Sequence, residues 1–269
     1  MKKYLFIISV IFLSCIAHKA DAAIAFSQST STNCGAVNNC GKAFKNNVST
    51  GSMILVGFRV GSTARIATTT DSQGNKYTQV ASVTAGADHM AFIFMATTTT
   101  SGALNVTSTI SGVAATIRMS IHEYTGLNTG GYSQVFDASS SAASVSAYYV
   151  SGDITTSNAN DLLFGFGTNL NNTGNITATT TVGYTQRELV AGITIFCGER
   201  NCISSENYIL SNTTTTRAAF LNAGVSEQGS AMVVAFKAAV ANVVSSLPSK
   251  ITFMQNMCVF RQGANIIFK

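Results

Sequence analysis

Residues 70–80, Thr70-Asp71-Ser72-Gln73-Gly74-Asn75-Lys76-Tyr77-Thr78-Gln79-Val80, admit two readings with different consequences for the whole chain. Either Asp71 founds a cation-binding loop, or the stretch is the tip of a β-hairpin between the strand-like runs Ala64–Thr70 and Lys76–Val80. A calcium loop of the EF type needs oxygen ligands at alternating positions and a closing glutamate. Asp71 is the sole acid here, so it could serve a cation only together with ligands from a distant loop. Gly74-Asn75 is a two-residue hairpin signal, because both residue types tolerate the positive φ such turns require. The hairpin reading is the stronger, and it makes the chain a β protein.

The flanking sequence agrees. Short runs of period two recur between turn residues, the chain is rich in Thr, Ser, Gly, Asn and Val, and it holds a single proline. Ser52–Val60, Phe92–Met95, Asp161–Phe166 and Met232–Phe236 are near-continuous apolar runs, which predicts central strands covered on both faces. Leu104, Val106 and Ile110 alternate with polar residues, as a half-exposed strand does. Ile117, Met119 and Ile121 do likewise, so Arg118, Ser120, His122 and Tyr124 share the opposite face of the next strand. About eleven or twelve strands exceed one sheet of ordinary size, which predicts an all-β fold: a two-sheet antiparallel β-sandwich. No repeat of about 20–50 residues is visible, which argues against a propeller or solenoid.

The ends read differently. Residues 1–22 carry Lys2 and Lys3, an apolar run from Tyr4 to Ala17 and a small-residue site at Ala20-Asp21-Ala22, the pattern of a secretory signal peptide cleaved near Ala22. The apolar run falls short of the roughly 18 residues of a transmembrane segment. Phe12 and Leu13 before Cys15 do not suit lipoprotein processing. Loss of Lys2, Lys3, Lys19 and Asp21 lowers the net charge from +5 to about +3. The β-sandwich domain spans 23–239, residues 240–250 hold the proline and read as a linker, and 251–269 form a basic, apolar tail. Residues 23–249 balance ten Lys/Arg against ten Asp/Glu, so a phosphate-tracking stripe is missing and nucleic-acid binding is not expected. The tail could dock on a partner, lie on a surface or add a strand; with Cys258 it could also support a homo-oligomer.

Five cysteines follow the leader. In an exported chain the close spacings predict disulfides Cys34–Cys40 and Cys197–Cys202, although crossed pairings and a zinc site remain formal alternatives. Catalytic constellations are not evident. His122 and Glu123 are strand neighbours that point to opposite faces, so Glu123 cannot orient His122. His89 and His122 read as plain surface or edge histidines. No two acids sit two or four positions apart on one strand face, as a glycosidase pair would. No nucleotide loop is present, and no cofactor or catalytic residue is assigned. Binding is the expected work: Arg118, Ser120, His122 and Tyr124 offer hydrogen-bonding groups around a ring and are the candidate ligand-binding residues. Of the adjacent Tyr148 and Tyr149, one must face outward.

Asp71-Ser-Gln-Gly-Asn-Lys-Tyr77, Glu123-Tyr-Thr-Gly-Leu127, Asn160-Asp-Leu-Leu163 and Met232-Val-Val-Ala-Phe-Lys237 together resemble a group of secreted bacterial and phage-associated β-sandwich domains similar to concanavalin-type jelly rolls. The resemblance covers about residues 24–238 and rests on turns and core strands. It implies fold, carries no catalytic residue, and leaves the Cys197–Cys202 region and everything after Ala239 outside the pattern. The expected function is a secreted, non-catalytic binding or adhesion module for carbohydrate or a surface partner. A structural subunit of an extracellular or phage-related particle is the alternative, and a weak glycosidase a more distant one.

Overall fold

Strand-forming sequence separated by Gly, Ser and Asn turns folds in the computed structural model into antiparallel sheets, with, among the described residues, no closed sheet and one short helical turn at Tyr132–Val135. The structure describes residues 23–170, 176–178, 183–190, 202–222 and 226–239, and the backbone of 259–260 and 266–267. The first half holds β1 (Ala25–Val37), β2 (Asn39–Ala43), β3 (Met53–Val60), β4 (Ala67–Asp71), β5 (Thr78–Ala85), β6 (His89–Thr97), β7 (Asn105–Ile110) and β8 (Ala115–Thr125). The second holds β9 (Phe136–Ser146), β10 (Tyr148–Val150), β11 (Ile154–Thr155), β12 (Leu162–Asn169), β13 (Ile176–Ala178), β14 (Thr185–Val190), β15 (Ile203–Ile209), β16 (Thr215–Thr216), β17 (Ala219–Asn222) and β18 (Glu227–Phe236).

The two halves repeat one topology. In the first, a five-stranded sheet ordered β1-β8-β3-β6-β5 is backed by a three-stranded sheet β2-β7-β4. In the second, β9-β18-β12-β15-β14 is backed by β10-β17-β13, with the ribbon β11-β16 added. Strand by strand the orders coincide, and the registers agree: Met53 pairs with Tyr124 as Leu162 pairs with Phe236. Irregularities recur as well. The ladder skips a residue after Phe26 and again after Phe136, and both β5 and β14 carry a break just after a glutamine, Gln79 and Gln186. Those glutamines close the tripeptides Tyr77-Thr78-Gln79 and Tyr184-Thr185-Gln186. A bulge re-aims the strand that bears it, so matching bulges make the match one of geometry as well as strand order. The repeat is about 110 residues long, beyond the 20–50 residues at which solenoid and propeller units recur.

The sandwich is therefore four layers deep rather than two. The five-stranded sheets face one another around a central core that includes Met53, Leu55, Ile93, Tyr124, Phe164, Phe166, Val234 and Phe236. A second core lies between the first large sheet and its outer sheet, with Ile54, Val56, Phe58, Val106 and Ile121. A third, with Leu163, Tyr149, Phe220 and Val233, does the same in the second half. Strands in the middle layers are covered on both faces, which is why β3 and β12 are buried throughout and read as continuous apolar runs. β7 alternates buried and accessible residues as expected. Along one seam, the Ser29 and Ser31 hydroxyls of β1 donate to Glu188 of β14 at 2.5 and 2.6 Å, and the Arg187 guanidinium lies 4.0 Å over the Phe26 ring.

Two expectations are corrected. Residues 70–80 are not a two-residue hairpin: β4 belongs to an outer sheet and β5 to a central one, so the stretch carries the chain between layers. Gly74 takes the positive φ of +75°, while Asn75 is not among the residues with positive φ. The face of β8 that bears Arg118, Ser120, His122 and Tyr124 does not meet water, because the second half covers it.

Cys34 and Cys40 form the expected disulfide, stapling the β1–β2 turn. Cys202 is buried and disulfide-bonded, while Cys197 lies outside the described residues. The stretches expected to be a signal peptide (1–22) and a linker (240–250), and Cys258, lie outside them too; of the tail, Val259–Phe260 and Ile266–Ile267 pair with each other as antiparallel strands. Among the described residues, no helix is long and apolar enough to cross a membrane.

Candidate functional site

Strand alternation does place Arg118, Ser120, His122 and Tyr124 on one face, but each is at most 3% exposed. His122 Nε2 and Ser120 Oγ lie 3.1 Å apart, and the imidazole meets the Phe164 ring edge-on at 4.9 Å. Burial, aided by the Arg187 charge, pushes the His122 pKa down to about 3, and burial pushes the Tyr124 hydroxyl up. At neutral pH both are uncharged. The group seals the two halves together and has no open approach for a ligand.

A cavity does open at the stretch that began the sequence reading. It has a volume of about 390 Å³ and is lined by Thr68, Thr70, Asp71, Lys76, Tyr77 and Phe94 among others. Its wall is built by Asp71. Oδ1 accepts the Gln73 and Asn75 N–H groups at 3.0 and 3.1 Å; Oδ2 accepts Asn75 Nδ2–H at 2.8 Å and the Tyr77 hydroxyl at 3.0 Å. Asn75 Oδ1 in turn accepts the Thr99 N–H at 2.9 Å, tying the turn to the end of β6. Burial and the neighbouring Asp71 charge raise the Tyr77 hydroxyl well above its usual range. Four donors aimed at one carboxylate are the opposite of a cation site, whose groups would be acceptors. Among the described residues no group of three or more His, Cys, Asp or Glu side chains could hold a metal. Asp71 is a turn organiser. The groups left for a ligand are the Thr68 and Thr70 hydroxyls, Lys76, and the Tyr77 and Phe94 rings.

The second half answers this site with different chemistry. The matched registers put Glu206 where the first half has Phe94, and Tyr184 where it has Tyr77. Glu206 is fully buried, its Oε1 accepts the Ala219 N–H at 3.3 Å, and burial pushes its pKa up to about 8. Burial and the Glu206 charge also raise the Tyr184 hydroxyl.

Other titratable groups are drawn into structure. Glu123 accepts Ser49 N–H and Ser52 Oγ–H on Oε1 at 2.8 and 2.7 Å, and Gln28 Nε2–H on Oε2 at 2.8 Å. His89 is buried rather than on an edge; its Nε2 lies 2.8 Å from Thr168 Oγ1, and burial together with the Arg59 charge drives its pKa down to about 2. Folding does assemble one carboxyl pair that sequence spacing missed, Asp137 with Asp161. Burial raises the Asp137 pKa, but the Ser157 hydroxyl and N–H, the Asp161 carboxyl and Lys237 outweigh it and hold it low. Of the tyrosine pair, Tyr149 is buried and Tyr148 is 60% exposed.

Sequence pattern singled out the Asp71–Tyr77 stretch but not its cavity, because Phe94 arrives from a strand that only the layer crossing brings alongside. The recurring Tyr-Thr-Gln is a signal, in the sequence, of the match between halves. No protein-family model, curated protein or solved structure matches the chain.

Proposed function

We propose that the protein is a non-catalytic binding module that works outside the cytosol, with carbohydrate as its ligand class and the cavity beside the Asp71 turn as its site. The observation that carries this reading is the cavity itself: hydroxyls of Thr68 and Thr70, the Lys76 ammonium and an aromatic floor of Tyr77 and Phe94 around about 390 Å³. Sugars present hydroxyls at the edge and apolar C–H groups on the face, which such a mixture complements. Asp71 keeps the wall rigid, so little ordering is required on binding. Engagement of Glu123, His89 and His122 in structural contacts favours binding over catalysis. A leader-like N-terminus and the Cys34–Cys40 disulfide favour export to an oxidising compartment. A jelly-roll assignment of the concanavalin type belongs to the same proposal and rests on motif resemblance and antiparallel sheets.

A glycan array tests it. The mature protein is expected to bind a defined subset of glycans. Thr70→Trp, which places a bulky ring at the cavity mouth, should abolish that binding while leaving the melting temperature unchanged. An array with no bound glycan, or one that Thr70→Trp leaves unaltered, overturns the assignment.

A further inference from the structure

Arg59 stands near the end of β3 on the face turned toward the second half, 1% exposed, and none of its three guanidinium nitrogens has a hydrogen-bond partner. Directly across the ladder is Arg118 of β8, itself 3% exposed. The surroundings answer this charge only from a distance. His89, from β6, is neutral and bonded to Thr168; Thr168 Oγ1 in turn lies 2.7 Å from Ser230 Oγ. Asp88 and Glu227 act on Arg59 through space, and Glu227 Oε1 accepts Asn222 Nδ2–H at 2.8 Å. A guanidinium does not shed its proton as a lysine can, so burial leaves an intact, unpaired cation beside a second one. An interior normally tolerates this only with a counter-charge in place.

We propose that Arg59, with Arg118 beside it, is an internal oxyanion site at this end of the inter-sheet core, taking a carboxylate, sulfate or phosphate group. The planar fork of a guanidinium fits two oxygens of such a group side by side. Gly61 flanks the fork: a β-carbon there would sit 3.5 Å from Arg59 Nη1, in ordinary contact with it. Depression of the Arg59 pKa to about 9, by burial first and then by Arg118, is the cost that an anion would relieve.

Thermal unfolding of the mature protein with millimolar sodium sulfate, phosphate or acetate, at constant ionic strength held with a bulky non-coordinating salt, tests the site. The wild type should gain several degrees and saturate with at least one of these anions. Arg59→Met, which keeps the stem and removes the charge, should melt at or above the wild type in anion-free buffer and show no saturable gain. Equal response of wild type and variant, or no response of the wild type to any of the three, overturns the proposal. Should Arg59→Met fail to fold, selenate-soaked crystals of the wild type decide: an anomalous peak within hydrogen-bond distance of Arg59 upholds the site, and its absence at saturating selenate refutes it.

Discussion

Asp71 and Glu206 show how a single carboxyl can be put to opposite uses. Asp71 is answered by four donors, so its replacement strands those donors in a half-buried turn. Asp71→Ala should cost about 2 kcal/mol in urea unfolding and remove binding at the neighbouring cavity with it. Glu206 is neutral in the fold, its pKa raised from 4.5 to about 8. For a carboxyl with a raised folded pKa, the unfolded chain ionises first, so stability is greatest below about pH 4.5 and declines until about pH 8. Glu206→Gln, which keeps the shape and cannot ionise, should flatten that decline and gain about 3 kcal/mol at pH 7, measured as urea midpoints across pH. Asp137 has the opposite sign: its pKa is held low, so its contribution is present above the ordinary carboxylate range and fades as pH falls through the depressed value.

Individual strands were legible because their physics is local. Apolar runs at β3, β12 and β18 announced coverage on both faces, and the alternation of β7 announced one face in water. β8 misled for a physical reason. Arg118, Ser120 and His122 are residues usually met at a surface, and only the approach of a second sheet, invisible to local pattern, turns their face inward. The Asp71 stretch was legible as a turn but not as a crossing between layers, since turn residues do not say which sheet the following strand joins. Contact between the middle layers is close enough to be tested at one atom. A β-carbon on Gly57 of β3 would lie 2.5 Å from the Phe166 ring of β12, so Gly57→Ala should destabilise by about 2–3 kcal/mol by thermal or urea unfolding, forcing apart strands of different halves.

At the level of the whole molecule, two copies of one eight-stranded motif bury their large sheets against each other, and neither has another way to cover that face. Sequence search missed the repeat because only scattered residues persist, such as Phe26 with Phe136 and Tyr77 with Tyr184, whereas topology and bulges persist throughout. Residues 23–127 alone would expose Met53, Leu55, Ile93, Met95 and Tyr124. That half should therefore aggregate or self-associate through this face; a stable monomer by light scattering would contradict the shared core. The most direct check of the arrangement is an NMR pH titration of the His122 imidazole in the folded protein. The ring should stay neutral down to about pH 3 and show a strong Overhauser contact with the Phe164 ring, 4.9 Å away across the halves. Titration near the ordinary histidine value of about 6.5, with no such contact, would mean that the β8 face is open to water and the two halves are not joined as described.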